Sequence, residues 1–307
     1  MKTIAVVDLG SNSFKVTVVD ALKQVELGRM TESLRIFPEK DSTVTLAPEK
    51  ITLATEAVVR LVTFAREKGA DKIVLLGTSA LRECTNRAEF SDALQKATGL
   101  PLLTVSGEVE ARLASEGIRS DPAFAAYPRI VAFDLGGGSL EVIELRGERC
   151  TLAKSFPLGS VRLTHSLLQG AGSIIGQGLQ EYFQHEVRNA LEAFVPTQAA
   201  ENSIIVGAGG AFAVIALYLE AIGEKPVAGR LPVLRIRELK DKICQLTPEQ
   251  RRSIPGLPAD RVDIMPAALL TICVLADLSK AESFYLTHRG VRHGMIQVLT
   301  RDTGGLI

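Results

Sequence analysis

Residues 6–20 read VVDLGSNSFKVTVVD and residues 131–145 read VAFDLGGGSLEVIEL. With Asp8 set over Asp134 the two fall into step: Leu9 over Leu135, Gly10 over Gly136, Ser13 over Ser139 and Val16 over Val142. In each, an apolar run ends at an acid, a glycine turn follows, and an alternating run resumes after the serine, the pattern of a strand–turn–strand clip. A repeat so widely separated calls for two related domains, not a short-period solenoid. Glycine weakens a strand, so Gly136, Gly137 and Gly138 between two good strands mark a tight turn or a close approach of backbone to something else. The plain alternative is a flexible hairpin tip. The more specific reading is a phosphate cradle, with backbone N–H groups as donors and Asp134 beside them for a metal. Two such clips, one per domain, would hold a phosphorylated ligand between them.

Strand-like and helical patterns alternate through the rest of the chain, which predicts an α/β fold. Residues 48–68 carry Ile51, Ala54, Val58, Leu61, Val62 and Ala65 at helical spacing, with Gly69 as the stop. A strand is expected at 72–76, a helix at 86–98 ending at Gly99, a strand at 102–105, and then a helix capped by Ser106. SDPAFAAYPR reads as a crossing between domains. Beyond the second clip come helices near 161–168 and 174–194, then a strand at 203–206 feeding the loop GAGGA and a helix from Phe212. EKPVAGRLPVL and RRSIPGLPADR read as loops, 266–278 as a core helix and 283–286 as a strand, and a last helix follows HRGVRHG. The expected domains are 1–119, completed by the last helix at about 296–307, and 120–295.

Lys plus Arg balance Asp plus Glu at 35 each, and a dedicated nucleic-acid binder would show a basic excess. Cys84, Cys150, Cys244 and Cys273 lie far apart without CxxC spacing, as scattered thiols rather than a disulfide frame or zinc site. The first strand begins too early for a signal peptide, and MPAALLTICVLA is too short to span a bilayer. A cytoplasmic protein is the expectation.

Asp8 and Asp134 stand at equivalent strand ends, where an acid is expensive to bury unless it faces a cleft or a cation. Each could instead cap its own turn. Waters, phosphate oxygens and one or two carboxylates together suit Mg²⁺. Glu110 falls in the first turn of the helix opened by Ser106. Spacing leaves it either a partner of the helix dipole, a need Glu108 meets equally well, or a base for a water attacking a phosphoryl group. Glu141 follows Ser139 by two residues and aligns with Lys15; both could simply face solvent. Arg82, in GTSALR, follows a strand end and could fork onto phosphate oxygens. Gly209 and Gly210 of GAGGA open a helix, again suited to phosphate. Arg289 and Arg292 form one small basic patch and Arg251, Arg252 and Arg261 a second, while His288 and His293 read as surface or interface residues.

These motifs in this order resemble the exopolyphosphatase/guanosine pentaphosphate phosphohydrolase (Ppx/GppA) family, within the actin-like and sugar-kinase-like ATPase superfamily. The resemblance rests on DLGSNSF, GTSALR, SGEVEARL, DLGGGSLE, PLGSVRLT, GAGGA and GVRHG, which span nearly the whole chain. It implies two duplicated actin-like, ribonuclease H-like α/β domains with an interdomain cleft. The implied activity is Mg²⁺-dependent release of terminal phosphate from inorganic polyphosphate or from guanosine pentaphosphate. Residue by residue, it implies Glu110 as the base for water and Arg82 as a phosphate contact. Ser11, Asn12 and Ser13, with Gly136, Gly137, Gly138 and Ser139, become the phosphate-binding loops. Asp134 and Glu141 lie at the metal, with Asp8 as the equivalent of Asp134. The expected partners are the polyphosphate or alarmone substrate and a second copy of the chain, with neither nucleic acid nor membrane.

Departures from the family pattern matter. Val109 stands where many members carry a second acid, and Ala211 stands where threonine is common. The chain stops after the two-domain core, which turns attention to short polyphosphates or nucleotide-like alarmones. Within the fold, an ATP-dependent kinase is the rival, but GAGGAFAVIA lacks the hydroxyl, basic residue and proline that would hold adenosine. The rival of another class is a non-catalytic alarmone or phosphate sensor, against which Glu110 speaks.

Overall fold

The computed structural model describes residues 2–36, 45–168, 172–197 and 203–301. The chain divides into two compact units, Met1–Ser120 with Arg289–Ile307, and Asp121–His288.

In the first unit, strands β1 (Thr3–Leu9) and β2 (Phe14–Asp20) form the predicted hairpin, with Leu9 opposite Phe14 and Asp8 opposite Lys15. Strand β3 (Val25–Glu32) extends it on one side, while β4 (Lys72–Gly77) and β5 (Leu102–Thr104) add in parallel on the other, giving the order β3-β2-β1-β4-β5. Helix α1 (Pro48–Glu67) starts on a proline, whose missing N–H is no loss in a first turn, and buries the apolar stripe read from the sequence. Short α2 (Ser79–Arg82) follows β4 directly. Helix α3 (Arg87–Thr98) ends where Gly99 turns left-handed at φ +76°. Helix α4 (Gly107–Arg119) opens on Ser106, whose Oγ accepts the Val109 N–H at 3.2 Å.

The second unit repeats the plan. β6 (Arg129–Leu135) and β7 (Leu140–Arg146) make the hairpin, and β8 (Arg149–Phe156) extends it. Helices α5 (Ser160–Leu167) and α6 (Gln177–Leu191) follow, then β9 (Ser203–Ala208) and α7 (Gly210–Ala221). Next come β10 (Arg230–Pro232), α8 (Val233–Cys244), short α9 (Pro248–Arg251), α10 (Met265–Ser279) and β11 (Ser283–Leu286). Within the order β10-β11-β9-β6-β7-β8, the run β8-β7-β6-β9-β11 reproduces the first sheet. Helix α10 is buried on nearly every side and anchors the core against α8, α6 and α5. The stretch read as a loop at EKPVAGRLPVL instead forms β10 and starts α8, which buries Val233, Ile236, Leu239 and Ile243 on one face.

The last helix, α11 (Val291–Arg301), belongs to the first unit. The return into that unit begins at Arg289, not near 296, because Gly290 already touches α4: a Cβ on Gly117 would lie 2.0 Å from the Gly290 oxygen. One on Gly294 would lie 1.7 Å from the Leu113 oxygen, so glycine alone permits this approach of the two helices. Residues 302–307 of the expected last helix lie outside the described residues. Among the described residues no helix is long and apolar enough to cross a membrane.

Candidate active site

The cap at Ser106 sets two acids in the first turn of α4, and packing tells them apart. Glu108 is exposed and holds Arg112 at 2.7 Å, four residues along the helix. Glu110 is only 5% exposed, and its Oε2 accepts from Arg82 Nη1 at 2.5 Å. The same nitrogen donates to the Val105 carbonyl at 3.1 Å, fixing the guanidinium against the end of β5. Arginine carries five N–H donors in a planar fork, so Arg82 can hold Glu110 and an anion together. The structure thus joins two residues that the sequence offered separately.

In the first clip, Ser11, Asn12 and Ser13 are all buried. Asp8 meets a cation, and the cation comes from the far end of the chain: Arg292 Nη1 donates to Asp8 Oδ2 at 3.3 Å while its Nε donates to Thr17 Oγ1 at 3.0 Å. Asp8 Oδ1 is buried with no hydrogen-bond partner among the described residues. Burial pushes the Asp8 carboxyl above its ordinary range, against the opposing pull of Arg292, Lys15 and Thr78. The basic patch expected at Arg289 and Arg292 is therefore internal structure. Arg292 serves β1 and β2, and Arg289 Nη1 donates to the Ser120 carbonyl at 2.6 Å. His293, read as a surface or interface residue, is largely buried, with Nε2 3.7 Å from Glu26.

In the second clip the glycine triplet is shaped by α5. The N–H groups of Ser160 and Val161 donate to the carbonyls of Gly136 and Gly137, at 3.0 and 2.9 Å. Arg162 Nε donates to the Gly138 carbonyl at 3.0 Å. A Cβ on Gly159 would sit 2.3 Å from Gly137, which is why PLGSVRLT needs its glycine. All peptide bonds described are trans, and in a trans peptide the N–H of one residue points opposite to the C=O before it. With three successive carbonyls turned onto α5, the N–H groups of Gly137, Gly138 and Ser139 point the other way. That is the donor row a phosphate cradle requires.

Val131, Phe133 and Leu135 of β6 and Leu140 and Val142 of β7 enter the core cluster, which puts Asp134 and Glu141 on the alternate face. The two are direct partners across the ladder. Glu141 is 2% exposed and accepts from Ser155 Oγ at 2.8 Å, so it is not the solvent-facing residue its alternation allowed. Like charges directly opposite on one face are destabilising unless a cation intervenes. The donors here are hard oxygens, and among the described residues no group of three or more His, Cys, Asp or Glu forms a ready-made cage. Hard oxygen donors fit Mg²⁺, which uses one or two carboxylates and leaves its other positions to water and phosphate.

The loop GAGGA closes on this clip. Gly209 adopts φ +93°, and a Cβ there would meet the Leu135 oxygen at 2.3 Å and Asp134 Oδ1 at 3.0 Å. A Cβ on Gly210 would meet the Arg261 guanidinium at 2.3 Å. Arg261 thus stands at the N-terminus of α7, a placement no sequence spacing announces. Of the second basic patch, Arg252 is exposed, but Arg251 is fully buried and donates to the carbonyls of Ile243 and Ser173, both at 3.0 Å.

The sequence matches the Ppx/GppA phosphatase family over residues 16–301, and the chain belongs to that family. It is 26% identical over 302 residues to Exopolyphosphatase 1 of Mycobacterium bovis, covering 95% of this chain and 87% of that protein. Over 192 residues, 61% of this chain, it is 33% identical to an uncharacterised protein of Streptomyces coelicolor, of which the match spans 57%. An exopolyphosphatase from Cytophaga hutchinsonii shares the fold with a TM-score of 0.85 at 18% identity, over 98% of each chain.

Proposed function

We propose that this chain is a phosphoanhydride hydrolase that releases terminal orthophosphate from inorganic polyphosphate, with Mg²⁺ as cofactor. The observation that carries the reading is Glu110, a carboxylate 5% exposed and bound to Arg82 at 2.5 Å. A module that merely binds a polyanion gains nothing from a buried negative charge, whereas water attacking phosphorus needs a group to orient it and take its proton. Glu110 does both, and Arg82 holds its carboxylate in place while offering further donors to a phosphate. The N–H groups of Gly137, Gly138 and Ser139 hold phosphoryl oxygens. Gly209, Gly210 and the α7 N-terminus act likewise in the second unit, and Ser11, Asn12 and Ser13 in the first. Asp134 and Glu141, direct partners across the ladder, would hold Mg²⁺. The ion would supply positive charge against the phosphate oxygens as the anhydride breaks.

The M. bovis relative's name points to polyphosphate. Guanosine pentaphosphate presents the same terminal anhydride to the same groups and is the alternative. Phosphate release with Mg²⁺ from tripolyphosphate, long-chain polyphosphate and guanosine pentaphosphate tests the proposal. Release from the polyphosphates, the short chain included, is expected. Release from guanosine pentaphosphate alone would transfer the activity to the alarmone, and tight binding of all three with no release would make the protein a sensor.

A further inference from the structure

Among the described residues, one buried amide donor outside Glu110, Arg82 and the second clip has nothing to bind. Asn12 is 8% exposed, and its buried Nδ2 has no hydrogen-bond partner among the described residues. Leaving such a donor unmade costs about 1–3 kcal/mol, so a buried orphan of this kind calls for an explanation. Its other atom is occupied. Arg35 Nε donates to Asn12 Oδ1 at 3.1 Å, and the Ile36 N–H beside it donates to the Ser11 carbonyl at 3.1 Å. The segment after β3 is thereby tied to the tip of the first clip at two adjacent residues.

The bond to Arg35 settles which way the carboxamide faces. A guanidinium has donors and no acceptor, so the atom it touches must be the oxygen. The NH₂ group is then held on the opposite side and cannot exchange places with the oxygen without confronting Arg35 with another donor. We propose that Arg35 is a positioning residue for substrate binding: it locks Asn12 with its NH₂ presented to a phosphoryl oxygen. This rests on the polyphosphate reading of the same site. The predicted consequence is specific to chemistry and not to bulk. Asn12→Asp keeps the shape and improves the pairing with Arg35, but it puts a negative oxygen where the donor stood.

The experiment measures tripolyphosphate binding by calorimetry and steady-state hydrolysis, beside thermal unfolding, for wild type, Asn12→Asp, Asn12→Ala, Arg35→Met, Arg35→Lys and the double variant Asn12→Ala/Arg35→Met. A hydrogen bond to a charged partner predicts binding about tenfold or more weaker in Asn12→Asp, with the midpoint of unfolding kept or raised. Arg35→Met should raise KM far more than it lowers kcat, and Arg35→Lys, which still donates, should recover part of the loss. Because Arg35 acts through Asn12, the double variant should bind no more weakly than Asn12→Ala alone. Losses that simply add in the double variant would overturn the proposal, as would Asn12→Asp binding like wild type. Binding with these signatures in a protein that hydrolyses nothing would sustain this inference while refuting the hydrolase, and wild type that binds no tripolyphosphate would overturn both.

Discussion

Asp134 and Glu141 show how much one register pair can decide. Facing each other across β6 and β7, with Glu141 buried, they repel at a place where the first unit sets Asp8 against Lys15. Replacing one acid by its neutral isostere should relieve that repulsion: in a chelator, Glu141→Gln is expected to unfold at or above the wild-type temperature. Millimolar Mg²⁺ should then raise the wild-type midpoint by several degrees and the variant's by much less, since an ion that binds only the folded state stabilises it by mass action. Equal shifts in a thermal melt would remove the cation from this pair. The pair was half legible in the sequence, where the repeat aligned both positions but could not say that Glu141 points inward beside Ser155. The partner of Asp8 was not legible at all. Arg292 lies at the other end of the chain, and contacts that distant leave no local pattern.

Helices α4 and α11 are where the glycines of GVRHG find their reason. Gly294 lies against the Leu113 carbonyl and Gly290 against Gly117, so α11 packs on the helix that carries Glu110 at backbone distance. Gly294→Ala would put a methyl 1.7 Å from that carbonyl, and neither helix backbone can yield as a flexible side chain would. Overpacking of this kind costs roughly 1–3 kcal/mol or more. The expected outcome is a midpoint of unfolding lowered by several degrees, with turnover reduced because α4 shifts under Glu110. Gly69→Ala, at a left-handed helix stop with nothing within 4 Å, should cost less and leave turnover unchanged. Most elements with a strong period or a clear stop signal were readable in advance, α1 and α3 among them. Helix α8 was not, because its proline-bounded start masks the spacing of Val233, Ile236, Leu239 and Ile243.

Across the described residues, one five-strand order occurs twice, the second copy adding β10 at its edge, and the two clips differ in charge. The first copy neutralises its clip acid internally through Arg292 and Lys15 and carries Glu110 and Arg82 on the elements that follow. The second turns its glycine carbonyls onto α5 and sets Asp134 opposite Glu141 in the ladder. Duplication was evident from the repeated clip alone, and family membership from its motifs. The division of labour between copies needed the partners of each residue. The central claim is that Glu110 acts on water and not on the ligand. The direct measurement is phosphate release from tripolyphosphate by Glu110→Gln, with tripolyphosphate binding measured on the same protein. Loss of a general base predicts release lower by about 10²–10⁴-fold with binding retained or tightened. Release within a few-fold of wild type would contradict the account.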